Sequence, residues 1–131
     1  MNNTLYINPL LPEISCIVID GETIRTSTVA KSLDTASTLP RHIVDLVDRY
    51  GITEIWCVTG PGPFTLMRVV TLTCNTLAIA RAIRLKSAHF FDMITPGHIP
   101  IIEANPKECI IRIGSDDVLR TWDELSPGTY E

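Results

Sequence analysis

The residues of this chain that could do chemistry are few, and the most suggestive of them run together. Val58-Thr59-Gly60-Pro61-Gly62-Pro63-Phe64-Thr65 delivers the chain through glycines and prolines into an apolar segment. A glycine-rich turn at a helix start can hold phosphate, because its free N–H groups and the positive end of the helix dipole converge on an anion. Pro61 and Pro63 each lack that N–H, and no lysine follows at the spacing of a nucleotide-binding P-loop. The residues fit better as a rigid strand-to-helix turn made by Gly60, Pro61, Gly62, Phe64 and Thr65, with the glycines permitting the backbone path.

Other reactive groups are scattered. His42, His89 and His98 have no spacing that would bring two imidazoles to one metal from one helix face. No serine or cysteine stands beside a histidine in the sequence as an activated nucleophile would, so each histidine is expected at the surface or at a cap. Asp20, Asp116 and Asp117 fall in predicted turns, where solvation is the simplest role. Cys16, Cys57, Cys74 and Cys109 lie far apart without a C-x-x-C pair and read as reduced, buried thiols. No catalytic residue, metal or cofactor is expected.

The composition points the same way. A length of 131 residues suits one domain with an appendage, and 45% hydrophobic with 20% charged residues is ordinary for a soluble fold. A net charge of −4 without a run of Lys and Arg disfavours direct binding to a nucleic-acid backbone. The N-terminus lacks a basic region followed by an apolar one, so a cytoplasmic protein is expected.

These residues must be positioned by elements that the periodicity predicts. Thr4–Leu10 reads as a short strand stopped at Asn8-Pro9. Ile14–Ile19, a turn at Asp20-Gly21 and Glu22–Val29 form a hairpin. Leu39, Ile43, Leu46, Val47 and Tyr50 follow helical spacing, capped by Ser37 or Thr38, with Pro40 in the first turn and Gly51 closing. Glu54–Gly60 is a buried strand, about Thr65–Ala82 a long helix, Ile83–Ala88 a strand, and His89–Ile94 a short helical turn. After Pro96-Gly97 the pattern restarts as a β-meander. The order predicts an α/β fold, with a mixed five-stranded sheet and helices over 1–97 and the truncated meander of a second lobe over 98–131.

With this order, the motif Gly60-Pro61-Gly62-x-Phe64-Thr65-x-x-Arg68, followed by Thr73, Leu77, Ala78, Ala80 and Leu85, resembles the TsaB (YeaZ) family. Ala104 and Glu108 match a later hairpin of that family. The resemblance implies the actin-like, sugar-kinase-like N-terminal lobe and a scaffold role in making the tRNA base threonylcarbamoyladenosine. It also implies two partners, a catalytic homologue (TsaD) and an ATPase (TsaE). The chain departs from the pattern at Asn8, where an acidic residue is usual, at Leu66, Val70 and Thr76, where glycines are usual, and in being shorter.

The long helix carries the functional expectation. Met67, Val70, Cys74, Leu77 and Ala78 form one apolar stripe, and Leu66, Val69, Leu72 and Ile79 fill much of the other side. A helix that is apolar all round must be covered on more than one side. It cannot cross a membrane, since Arg68, Asn75 and four threonines interrupt too short a run. The second cover is either the first helix or another molecule. On the latter reading Leu66, Met67, Arg68, Val70, Thr71 and Cys74, with His42 and Leu46 of the first helix, meet a TsaD-type partner or a second copy of the chain. Bulk at Leu66, Val70 and Thr76 would then alter the partner surface. Arg68 would bond locally or to the partner. The competing reading is a reduced actin-like domain that still binds nucleotide at Gly60–Phe64.

Overall fold

Apolar side chains at alternate positions give the first strands one buried face each. Leu5 and Ile7, then Ile14, Cys16 and Val18, then Ile55 and Cys57, all lie on the same side. The structure, a computed structural model, describes residues 2–10, 13–30, 34–60, 64–93, 101–113 and 115–124. In them β1 (Thr4–Asn8), β2 (Glu13–Asp20) and β3 (Thr23–Ala30) form an antiparallel meander, followed by α1 (Thr35–Tyr50), β4 (Glu54–Val58), α2 (Phe64–Arg81) and β5 (Arg84–Ala88). The sheet order is β3-β2-β1-β4-β5, with β4 parallel to both β1 and β5. A 3-10 turn at Phe90–Met93 precedes a second, antiparallel sheet of β6 (Ile101–Asn105), β7 (Glu108–Ile113) and β8 (Asp116–Thr121). The mixed α/β architecture expected from the sequence is the one observed. The expected boundary at 97/98 lies outside the described residues.

Both helices pack on one face of the large sheet. Leu39, Ile43, Leu46 and Val47 of α1 and Val70, Cys74 and Leu77 of α2 join the strand residues in one core. The opposite face carries Tyr6 and Trp56, stacked with ring centroids 5.8 Å apart. On that face Trp56 Nε1–H donates to Glu54 Oε1 at 2.7 Å, and Lys86 lies over the indole.

Two local expectations change. The helix α1 begins at Thr35, with Asp34 ahead of it, because Asp34 O accepts the N–H groups of Ser37 and Thr38 at 3.0 Å each. Ser37 and Thr38 are therefore inside the helix, and Pro40 stands beyond the first turn. The hairpin loop is Gly21-Glu22, since Asp20 still pairs with Thr23, and the positive φ of 62° falls on Gly21 and not on Asp20. Gly51 does close α1, at φ 56°, a left-handed conformation that glycine adopts without strain.

Asn8 has a structural use. Its Oδ1 accepts the N–H of Leu10 at 3.0 Å and turns the chain out of β1.

Candidate functional site

The helix α2 is divided lengthwise by its neighbours. Met67, Val70, Cys74 and Leu77 face the sheet and are buried. Leu66 is half-buried and packs against the same core. Thr73 and Thr76 are tolerated because each hydroxyl donates to the carbonyl four residues back, Val69 O and Leu72 O, at 2.8 Å. That leaves one ridge pointing away from the protein. Arg68, Leu72, Asn75 and Ile79, at i, i+4, i+7 and i+11, are all exposed, Leu72 by 70% and Ile79 by 87%. Spacing of this kind sets four side chains in a line along a helix.

Much of the contact set read from the sequence lies inside the chain's own core. Met67, Val70, Cys74 and Leu46 are used by the chain's own core and offer no side-chain surface to another molecule. His42 is turned toward β3, its Nε2 lying 3.2 Å from Ser27 Oγ. Val70, bulky where glycine was expected, fills the space between α2 and the sheet and so does not stand between α2 and a partner; Leu66 likewise packs inward. Arg68 and Thr71 remain accessible in full or in part. The guanidinium of Arg68 has no hydrogen bond or ion pair among the described residues, so the expected local partner for it is absent there. Sequence periodicity missed Leu72 and Ile79 because a helix apolar on every side does not announce which apolar stripe is spare.

Of the turn ahead of α2, Pro61 and Gly62 lie outside the described residues. Gly60 has φ 141°, and its carbonyl accepts the N–H of Phe90 at 2.7 Å, tying the end of β4 to the 3-10 turn. Phe64 opens α2 and Thr65 in its first turn is exposed.

Polar clusters elsewhere hold elements together. The Ser27–His42 pair was not legible in the sequence, since β3 and α1 bring together residues 15 apart. It borders a cavity of about 150 Å³ also lined by Arg25, Arg49 and Tyr50. No carboxylate among the described residues bonds the other nitrogen of His42, so the third member of a nucleophilic triad is not supplied there. His89 and Arg112 link the two sheets. His89 Nε2 is 2.7 Å from Asp117 Oδ2, while Arg112 reaches Asp117 at 3.1 Å and Asp92 at 2.5 Å. The Arg112 guanidinium holds the Asp92 carboxyl below its usual range. Asp117, expected as a solvated turn residue, is thus part of this junction.

Cys16, Cys57 and Cys74 belong to the one core between the sheet and the helices, and all four thiols are free and buried. Burial pushes Cys16 up to about 11, and the hydrogen bond to Cys57 together with burial pushes Cys74 up. Cys16 and Cys74 are thereby protonated packing groups at neutral pH, while the hydrogen bond with Cys74 lowers Cys57 from its ordinary value. Among the described residues no group of three or more His, Cys, Asp or Glu side chains is arranged to hold a metal ion, and no helix is long and apolar enough to cross a membrane.

No sequence family and no curated protein matches the chain. Solved structures do. One is an uncharacterised protein from Pseudomonas aeruginosa described by its similarity to the peptidase YeaZ, with a TM-score of 0.75 over 96% of this chain and 69% of that one. Another is YeaZ from Pseudomonas aeruginosa, with a TM-score of 0.73 over 96% of this chain and 70% of that one. Identity is 16% in both cases. The fold is the YeaZ fold. About three tenths of each YeaZ-like chain has no counterpart here.

Proposed function

We propose that the chain is a non-catalytic interaction subunit of the TsaB type, which docks the outer ridge of α2 on helices of a partner protein. The observation that carries this reading is the exposed line Arg68–Leu72–Asn75–Ile79 on a helix whose sheet-facing side is already covered. Two large aliphatic side chains left in water at this exposure have no role in the fold of the monomer. They gain roughly 1.5–3 kcal/mol each on full burial against another surface. Asn75 and the unpaired Arg68 supply the polar contacts that orient such an interface. The YeaZ-like fold supports a TsaD-type homologue as the partner, with a TsaE-type ATPase joining the assembly in tRNA threonylcarbamoyladenosine formation.

The test is titration calorimetry and co-purification of the chain with the TsaD-type protein of the same cell. A complex at micromolar concentration that is weakened more than tenfold by Leu72→Asp or Ile79→Asp supports the reading. A complex indifferent to both substitutions would place the interface elsewhere. A second reading, self-association, is favoured by the same ridge, because one ridge can pack on its own copy about a twofold axis. Light scattering of the chain alone separates the two, a concentration-dependent dimer lost in Leu72→Asp marking the homodimer. Saturable binding of ATP with magnesium would favour a reduced nucleotide-binding domain instead.

A further inference from the structure

The edge strand β5 and the flank of α2 that faces it form a second surface, which adjoins the ridge at Arg68, Leu72 and Asn75 and leaves out Ile79. In the sheet order β5 is the last strand, paired to β4 alone among the described residues. The N–H of Arg84 donates to Thr53 O and the carbonyl of Ala88 accepts from Thr59 N–H, each at 3.0 Å. A strand directs the backbone groups of successive residues to opposite sides. Arg84, Lys86 and Ala88 therefore serve the ladder with β4, while the N–H and carbonyl groups of Leu85 and Ser87 point outward. These are the groups that an added strand would use.

Beside this edge runs a groove. A cavity of about 260 Å³ between β5 and α2 is lined by Cys57, Thr71, Cys74, Asn75, Leu85 and Ser87, among others. It shares Thr59, Thr71 and Asn75 with a neighbouring hollow of about 380 Å³ that reaches Met67, Arg68 and Leu72. Its floor of thiol, thioether and leucine side chains suits small aliphatic groups.

Charge selects the occupant. Arg84 and Lys86 project from the other face of the same strand and share one carboxylate, Glu54, at 3.3 and 3.8 Å. The edge is left with a surplus positive charge, and Arg68, without an ion pair among the described residues, adds another at the end of the groove. A second copy of β5 set antiparallel would place Arg84 and Lys86 against their own kind, which is unfavourable across a strand pair. We propose that β5 takes up an extended, acidic segment of a partner protein as a sixth strand. In this arrangement alternate apolar side chains of that segment enter the α2–β5 groove, and the intervening carboxylates face Arg84 and Lys86.

The probe is fluorescein-labelled acetyl-Glu-Val-Glu-Val-Glu-Val-amide, read by anisotropy against the intact chain, with Lys in place of Glu as the control. The glutamate peptide should bind at least tenfold more tightly than the lysine peptide. Ser87→Pro removes one outward N–H and no bond of the native ladder, so it should abolish binding while the far-ultraviolet circular dichroism and melting temperature stay unchanged. Should that variant not fold, Arg84→Glu combined with Lys86→Glu provides the second arm, and it should reverse the preference toward the lysine peptide. Equal binding of the two peptides, no binding of either, or full binding by a folded Ser87→Pro protein would overturn the proposal. Ile79→Asp, which disrupts the ridge alone, should leave peptide binding intact. Loss of binding in that variant would move the peptide to the ridge and equally overturn it.

Discussion

The helices α1 and α2 lie side by side on one sheet and solve the same problem differently. The inner face of α1 is Leu39, Ile43, Leu46 and Val47, and its outer face is Arg41, Asp45, Asp48 and Arg49, all exposed. It is an amphipathic helix whose sequence states which side is buried. The inner face of α2 is equally apolar, with Met67, Val70, Cys74 and Leu77, but its outer face carries Leu72 and Ile79 where α1 has charges. The fold of the monomer needs one apolar face per helix. The surplus on α2 has no place in the core of the monomer, and this difference between two neighbours on the same sheet is the observation on which the proposed partner rests. An ion pair between Arg81 and Asp48 joins their ends, so the two helices share a local environment and differ in what they show to solvent.

The largest effect that could break this comparison belongs to Val70. It is wholly buried, so Val70→Asp places a carboxylate in the core and should destabilise the chain by roughly 3–5 kcal/mol. Urea titration should give little or no folded protein at 25 °C. Ile43→Asp on the inner face of α1 should do the same. If Val70→Asp remained folded with an unchanged urea midpoint, the inner and outer faces of α2 would be assigned the wrong way round.

A smaller effect separates the two inner faces. That of α1 has no titratable group, whereas that of α2 carries Cys74, and the shared core adds Cys16 and Cys57. Cys16 is raised by burial from 9.0 to about 11 in the folded chain. A group whose folded pKa is raised contributes stability that is complete below the unfolded value and lost as pH climbs through the folded one. Stability should therefore fall between about pH 9 and 11, by about 2 kcal/mol from this thiol. Cys16→Val should remove that part of the decline, measured as the difference between urea midpoints at pH 8 and pH 10.5. Identical alkaline losses in both proteins would show that Cys16 is not desolvated in the core.

How much of this was legible depended on whether the signal was local. Strand alternation in β1 and β2, the glycine stop at Gly51 and the helical period of α1 are local patterns, and they placed the sheet and both helices. The start of α1 was misplaced because Ser37 and Thr38 are good caps, whereas Asp34 wins through its backbone carbonyl with no cap from its side chain. The sequence left the inward side of α2 open because burial of Val70 and Cys74 depends on α1, β4 and β5 packing against the helix, which no window of sequence contains. Ser27–His42 and His89–Asp117 are likewise tertiary. The displaced cap has a consequence for α1 alone. With Pro40 beyond the first turn, the helix forgoes the bond from residue 40 to Ala36 O, and Pro40→Ala should stabilise the chain by about 1 kcal/mol. A neutral or destabilising result would return Pro40 to the first turn and the cap to Ser37.

The smallest expected effect is the sharpest for function. Leu72→Lys and Ile79→Lys replace exposed aliphatic side chains on a regular helix with a residue of equal or better helix propensity. Neither side chain has an assigned place in the core, so the monomer loses almost no burial. Each variant should lie within about 0.5 kcal/mol of the parent chain, the range of ordinary surface substitutions. The same exchange at Leu46 of α1, which is 8% exposed, should destabilise by several-fold more. Stability thus remains blind to the ridge while association, read by light scattering or calorimetry, responds to it. If Leu72→Lys destabilised the isolated chain as strongly as Leu46→Lys, the ridge would be covered within the monomer, and α2 would need no partner to account for its second apolar side.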